Sequence, residues 1–296
     1  MSRSGEPRGT LFVVGTPIGN LDDLSPRAVH AFAESDLVAC EDTRHTATIL
    51  TRHGLSTRMI SYHKFNETRR LPEILRRLDH GERIVLATDG GTPAISDPGA
   101  LLVDAARRAG HRVIPVPGPS AVTTLLSVGG LMAGAFTFIG FLPHRKGERR
   151  RALEALRTEP RSLLFFESPL RLLATLGDAI EILGDRDAVL GREMTKIHEE
   201  FQAGALTSIR AALSGRRVRG EVAFLVAGPG KDATPAGNAA TATGTGPEES
   251  PARRTRRLIE SGVDRKEAMR RVARETGLSR RDVYRALLRD TTDTEE

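Results

Sequence analysis

Short apolar runs alternate with stretches of helical spacing along residues 10–228. Leu11–Val14, Ile84–Ala87, Arg112–Val116, Phe136–Gly140, Ser162–Phe166, Ala188–Gly191 and Val222–Ala227 read as strands, because each is a short apolar run of strand length. Several helix starts between them are legible. Ser25-Pro26 places a capping hydroxyl before a proline at the first helical position, and Asp97-Pro98 and Ser168-Pro169 repeat the device. Alternation of this kind predicts an α/β fold with a mostly parallel first sheet. Beyond about Phe136 the strands crowd closer, as in Arg192–Ala203 against Val218–Ala227, which predicts a mixed second sheet. The expected boundary near Gly130–Phe136 gives one α/β domain over 10–132 and another over 133–228.

The pattern then stops and restarts. Residues 229–252 are mostly Pro, Gly, Ala and Thr, with almost no large apolar side chain, too little burial to offset ordering entropy, and read as a flexible linker. Residues 253–289 regain helical spacing. A first helix is expected near Arg254–Ser261, and Asp264 with Glu267 marks the cap of a second that stops at Gly277. Ser279, with Asp282 three residues on, starts a third. Ala268, Met269, Val272 and Ala273, then Leu278, Val283, Tyr284, Leu287 and Leu288, give these helices apolar faces. The layout is that of a small all-α, helix-turn-helix-like module whose last helix exposes Arg280, Arg281, Arg285 and Arg289.

Charge sharpens this division. The net +6 of the 296 residues is unevenly placed: thirteen Arg or Lys face five Asp or Glu between Arg253 and Arg289, a local +8. The tail from Asp290 contributes −4, leaving residues 1–252 near +2. Clustered Arg exchanges condensed counterions for phosphate contacts, so a nucleic-acid partner enters here, beside the plainer reading of a solvated helical surface. Aromatic residues are 4% with no Trp, which argues against a surface that stacks successive bases. The single Cys40 forbids an intrachain disulfide and suits a reducing cytoplasm. The sequence offers neither a membrane span nor the pattern of a secretion signal.

Chemistry concentrates where predicted strands end. Gly15-Thr16-Pro17-Ile18-Gly19-Asn20 follows the first strand, residues 89–99 (DGGTPAISDPG) follow Ile84–Ala87, and Pro117-Gly118-Pro119-Ser120-Ala121 follows Arg112–Val116. None is a dinucleotide fingerprint or a P-loop, and none contains Lys or Arg, so a polyphosphate fits poorly. Backbone amides, small hydroxyls and an apolar Ile suit a zwitterionic or nucleoside ligand at the carboxyl edge of an open sheet. Each loop alone is more often a plain turn. The eight histidines show no paired spacing and have no cysteine set beside them, so no metal is expected.

Seven motifs then follow one another in a recognisable order: GTPIGNL from Gly15, CEDTRHT from Cys40, SYHKFNE from Ser61, GTPAISDPG from Gly91, PGPSA from Pro117, FFESP from Phe165 and REMTKIHEEF from Arg192. The chain closely resembles the bacterial small-subunit ribosomal RNA methyltransferase I family, of the tetrapyrrole-methylase-like class. The resemblance covers about residues 10–228 and, more loosely, 253–289. Gly15, Thr88-Asp89-Gly90 and Phe166 depart from the usual pattern. The resemblance implies two α/β domains of the tetrapyrrole methylase type with S-adenosylmethionine in the cleft between them, usually in a homodimer. It implies methylation of a cytidine 2′-O in the decoding region of 16S ribosomal RNA of the small ribosomal subunit. Residue by residue, Pro17 would line the methionine side of the cofactor, with Asp89, Gly91, Ile95 and Ser96 bracketing its amino acid and ribose. Ser120 and Ala121 would contribute from the third loop, and Phe166 with the backbone near Met194 and Ala227 would close over the adenine.

A ribose hydroxyl is a weak acid, so a proton acceptor is expected near the transferred methyl. Candidates are Glu41 and Asp42, Asp89, Glu167, and Lys196 with His198 and Glu199. Each has a structural alternative: Glu41 and Asp42 as partners of Arg44, Glu167 as a cap, Lys196–Glu200 as an exposed strand face. The expectation carried forward is that Glu41, Asp42, Arg44 and Lys196 position the target ribose. A second basic run, from His144 to Arg151, predicts RNA-phosphate contacts from Arg145, Lys146, Arg149 and Arg150 at the start of a helix. A tetrapyrrole-precursor methyltransferase would share the cofactor loops but leave CEDTRHT, FFESP and TKIHEEF without a purpose. A DNA-binding regulator would explain only the tail.

Overall fold

The computed structural model describes residues 9–131, 135–229 and 251–276, with 283, 284 and 287. Two compact units divide the chain, Met1–Pro235 and Ala236–Glu296.

In the first unit, β1 (Thr10–Val14), β2 (Leu37–Cys40), β3 (Met59–Ser61), β4 (Arg83–Ala87) and β5 (Arg112–Val116) form a sheet in the order β3-β2-β4-β1-β5. Every pairing in it is parallel. The crossovers are α1 (Pro26–Ala33), α2 (Thr43–Arg52), α3 (Glu67–Asp79) and α4 (Ala100–Arg108). They cover both faces, so β2 is buried along its whole length and β4 in all but its first residue, while β1 mixes buried and half-buried positions. The runs at β2 and β3 went unread as strands in the sequence, β3 because it has only three residues.

The second sheet takes β6 (Phe136–Phe141), β7 (Ser162–Glu167), β8 (Asp187–Arg192), β9 (Glu200–Ala205) and β10 (Val222–Val226) in the order β6-β7-β10-β8-β9. Only β6 and β7 are parallel, so this sheet is mixed as expected. β10 lies between β7 and β8 and pairs with both, which leaves β9 at the edge beside β8. α6 (Lys146–Ala155), α7 (Leu172–Leu183) and α8 (Leu206–Leu213) bury their apolar stripes on one face, around stacked Phe165 and Phe224 at 4.8 Å. α5 (Ala121–Gly129) covers the other face. Its Val122 and Leu125 pack with Leu164, Val189, Ala223 and Leu225, so this helix precedes the second sheet in sequence but shares its core.

Helix starts are partly as read. The Ser25 hydroxyl accepts the Ala28 amide at 3.2 Å with Pro26 at the first helical position. Asp97-Pro98 and Ser168-Pro169 are not caps: α4 starts after Gly99, whose φ of +129° suits only glycine, and α7 starts after a turn through Arg171.

In the second unit, α9 (Pro251–Glu260) and α10 (Arg265–Thr276) are joined by a turn. The Asp264 carboxylate accepts the Lys266 amide at 3.0 Å and the Glu267 amide at 3.4 Å, the cap read from the sequence. Thr255, Ala268, Val272, Val283 and Leu287 are buried. The last-helix arginines Arg280, Arg281, Arg285 and Arg289, the Gly277 stop and most of the 229–252 linker lie outside the described residues. Among the described residues no helix is long and apolar enough to cross a membrane.

Candidate functional site

β4, β1 and β5 are neighbours in the first sheet, so the three glycine-proline loops that follow them emerge side by side. They are clamped together. Thr16 and Gly91 exchange both backbone hydrogen bonds, at 2.9 and 3.0 Å, and the buried Thr16 hydroxyl donates to the Thr88 carbonyl at 2.9 Å. A Cβ on Gly15 would come within 2.8 Å of the Gly118 amide nitrogen, so the first and third loops touch only because both residues are glycine. Ala94 and Ser96 both hold positive φ, near +69° and +65°, a strained backbone in the second loop.

The facing wall comes from the second sheet. The Asn20 amide donates to the Thr195 hydroxyl at 3.0 Å, and the Ser96 hydroxyl packs against Gly140. Between these bridges lies a cleft of about 670 Å³. Its first side is Pro17, Ile18, Glu41, His45, Gly91, Ile95, Asp97 and Ser120. Its second is Phe141, Phe166, Met194, Lys196, Glu221, Val222 and Ala223. Phe166 is held edge-on between Phe138 and Phe141, with centroids at 5.1 and 5.6 Å.

The family model for Tetrapyrrole (Corrin/Porphyrin) Methylases matches residues 10–210, from β1 into α8. The protein named Ribosomal RNA small subunit methyltransferase I in Halalkalibacterium halodurans is 39% identical over 94% of both chains. Its namesake in Synechocystis is 40% identical over 95% of this chain and 98% of that one. The chain belongs to the ribosomal RNA small subunit methyltransferase I family of tetrapyrrole methylases. The fold is correspondingly shared with uroporphyrin-III C-methyltransferase of Thermus thermophilus, solved with S-adenosyl homocysteine. That match has a TM-score of 0.54 at 19% identity, over 73% of this chain and 97% of that one.

In this methylase the structure brings most of the expected cofactor residues to one place. Pro17, Asp89, Gly91, Ile95, Ser96, Ser120, Ala121, Phe166 and Met194 all line the cleft. Ala227 does not, and that expectation is corrected. β10 runs antiparallel to β7, so Val222, opposite Glu167, meets the cleft, while Ala227 lies at the far end beside Asp187. Five residues of extended chain, roughly 17 Å, separate the two ends. The antiparallel β10 brings its amino end, not its carboxyl end, to the cleft.

The expected catalytic quartet splits. Glu41 and Lys196 line the cleft; Asp42 and Arg44 do not. Asp42 caps α2, its carboxylate accepting the Arg44 amide at 2.8 Å and the Arg44 guanidinium at 2.6 Å. Those hydrogen bonds lower its pKa to about 2, which makes it a poor base. The Lys196 ammonium reaches Glu193 at 2.9 Å and Glu221 at 3.1 Å; burial opposes its charge, but the two carboxylates prevail and raise its pKa. Glu167 is buried and spent on the Ser168 amide, the Thr175 hydroxyl and Arg171, so it is structural. Asp89 accepts the Asp42 amide at 3.0 Å. Glu199 accepts the Thr195 amide at 2.6 Å, and His198 is exposed outside the cleft lining.

Sequence reading missed His45, Asp97, Glu221, Val222 and Ala223. Asp97 looked like a helix cap. It is instead drawn into the cleft, where burial first, then the Glu41 carboxylate, with Asp89 and Glu221 beyond, raises its pKa to about 7. The buried Thr88 hydroxyl lies close but meets no hydrogen-bond geometry. Burial and Asp89 also raise the Glu41 carboxyl. The cleft is thus acidic on its first side, and its one lysine is already paired.

The basic run ahead of α6 is also corrected. Arg149 is 5% exposed and ion-paired to Asp178 at 2.6 Å, and Arg150 bridges Asp178 at 2.9 Å and Glu181. Arg149 holds α6 to α7 and offers nothing to a phosphate. Arg145 and Lys146 remain exposed at the helix start. No group of three or more His, Cys, Asp or Glu able to hold a metal occurs among the described residues.

Proposed function

We propose that the chain transfers the methyl group of S-adenosylmethionine to a ribose 2′-oxygen of a cytidine in the decoding region of small-subunit ribosomal RNA. The observation that carries the cofactor is the charge of the cleft. Glu41, Asp89 and Asp97 face it without a cation from the three loops, and burial first, then the Glu41 carboxylate, lets Asp97 hold its proton to about neutral pH. A small ligand with an ammonium and a sulfonium supplies the missing positive charge. Pro17, Ile18, Met194, Val222 and Ala223 add apolar lining for a nucleoside and a thioether arm, and Gly91 and Ser96, both at positive φ, line the cleft from the second loop. The ribosomal RNA substrate is supported by the relatives' names and by the motifs shared with them.

The bound cofactor supplies an electrophilic methyl on a good leaving group, and the remaining work is orientation and proton removal. Glu41 and Asp97 are the acceptors the cleft offers, since their raised pKa values bring them toward the pH at which a general base works best. Asp42 and Arg44 act one step back, fixing the start of α2 and thereby Glu41 and His45. Lys196, tethered by Glu193 and Glu221, presents a fixed positive charge to the RNA side of the cleft. A homodimer in the cytoplasm completes this reading on the strength of the resemblance.

Labelled S-adenosylmethionine with purified small ribosomal subunits tests the proposal. Label is expected in a single cytidine whose 3′ bond resists alkaline cleavage. Label on the base, or transfer only to a tetrapyrrole precursor, overturns it.

A further inference from the structure

Beside the cleft, on the other side of the segment that carries Glu193, lies a second cavity of about 400 Å³. Arg192 and Glu193 at the end of β8, His198, Leu213 at the end of α8, and the loop residues Arg216, Arg217, Val218 and Arg219 line it. Four guanidinium groups around one small space repel each other unless anions offset them. The protein supplies too few. Glu200 is shared between Arg192 at 2.9 Å and Arg216 at 3.1 Å, and Glu193 is taken by Lys196 and the Glu221 amide. Among the described residues Arg217 and Arg219 form no ion pair, and both are exposed. With Lys196 counted, five fixed cations stand against Glu193, Glu200 and Glu221.

The placement of this excess joins it to the cleft. Two segments wall both spaces: residues 192–196 give Arg192 to the basic cavity and Met194 and Lys196 to the cleft, and residues 216–223 give Arg216–Arg219 to one and Gly220–Ala223 to the other. The Arg192 guanidinium donates to the Arg219 carbonyl at 3.2 Å and ties the two segments together. The chain turns between the two spaces at Gly220, whose φ is +84° and whose Cβ would collide with the Glu193 carboxyl group at 2.2 Å.

We propose that this cavity is a phosphodiester site that holds the RNA backbone next to the nucleotide in the cleft, with Arg217 and Arg219 as the phosphate ligands. The inference rests on the RNA reading above and deepens it. Fork-shaped guanidinium donors match phosphate oxygens, and a nucleotide whose ribose enters the cleft carries its flanking phosphates at the rim, where Arg219 stands. The cofactor loops have no basic residue, so affinity for a polyanion must come from outside them. Because Arg149 and Arg150 are consumed by Asp178 and Glu181, this loop also replaces much of the basic surface expected before α6.

The test uses the full chain and a single-stranded oligocytidylate, with binding measured without turnover from about 0.05 to 0.3 M salt. Each lost contact on single-stranded RNA lowers the log–log salt slope by about 0.7, or about fivefold in affinity at 0.1 M salt. Arg217→Ala with Arg219→Ala is expected to lower the slope by about 1.4, and the paired Arg→Lys variants to restore most of it. Cofactor affinity is expected to stay at the wild-type value. An unchanged slope in the double alanine variant overturns the inference, as does a slope in the paired lysine variants as low as that of the alanine variant. The functional reading fails separately, when the wild-type enzyme does not methylate small subunits, and the slope then still decides whether the cavity binds phosphodiesters.

Discussion

Asp97 shows how a single carboxylate changes role when the chain folds. In sequence it precedes a proline and resembles a cap; in the structure it is a partly buried acid near Glu41, Asp89 and Glu221, with its pKa raised to about 7. A raised folded-state pKa means that the native chain keeps a proton the unfolded chain has already lost. Stability therefore falls as pH rises from the unfolded value near 3.8 to about 7, and levels above that. Asp97→Asn removes the fall. In thermal melts of the cofactor-free chain the variant is expected to gain on wild type between pH 5 and 8, by on the order of 1–2 kcal/mol after screening. Ionised Asp97 also attracts a cationic ligand. Calorimetric titration should show S-adenosylmethionine binding about threefold to tenfold tighter at pH 8 than at pH 6, with S-adenosylhomocysteine, which lacks the sulfonium charge, nearly flat. Flat behaviour of both ligands would remove Asp97 from the site. Pro17→Arg and Ile95→Arg fill the cleft from the first two loops, and each is expected to abolish measurable cofactor binding; unchanged affinity would clear those loops of the role.

At the scale of elements, α6 and α7 are joined by a buried ion pair that charge counting assigned to a ligand. Asp178 lies against Arg149 and Arg150, and although burial opposes its charge, the two guanidinium groups keep its pKa low. Arg149→Ala leaves this carboxylate half-compensated and is expected to cost about 2–4 kcal/mol in urea denaturation. Replacing the pair together, Arg149→Met with Asp178→Leu, should recover most of that loss, because two apolar side chains fill the space without a charge to desolvate. The same variants should leave the salt slope of RNA binding at its wild-type value. A fall in slope with unchanged stability would return Arg149 to the RNA surface. The sequence could not separate the two roles: a run of Arg at a helix start looks alike whether it faces solvent or an acid on a neighbouring helix, and Asp178 stands 29 residues away. Strand direction was hidden for a similar reason. Val222 and Ala227 lie in one apolar run, and only the antiparallel pairing with β7 shows which end meets the cleft.

For the whole molecule, the second compact unit carries the densest basic run, the +8 between Arg253 and Arg289, offset in part by the acidic tail, while the first holds the cleft. If the last 47 residues contribute phosphate contacts, deleting 250–296 is expected to lower the salt slope of RNA binding by about 0.7 per contact and to leave cofactor affinity unchanged. An unaltered slope would make that unit a structural appendage. What the sequence by itself determined are the local and ordered features: seven of the ten strands, the cap at Ser25 and that at Asp264, three glycine-proline loops, and the family. These follow from the spacing of neighbours along the chain, which backbone geometry converts directly into strands, caps and turns. Only the tertiary structure decided which charges are free. Asp42, Glu167 and Arg149 are satisfied by partners, and Asp97, Arg217 and Arg219 are left over, because burial and side-chain pairing are fixed only when the chain folds: Arg149 meets Asp178 across two helices, and Asp97 is drawn toward Glu41, Asp89 and Glu221 from three different segments.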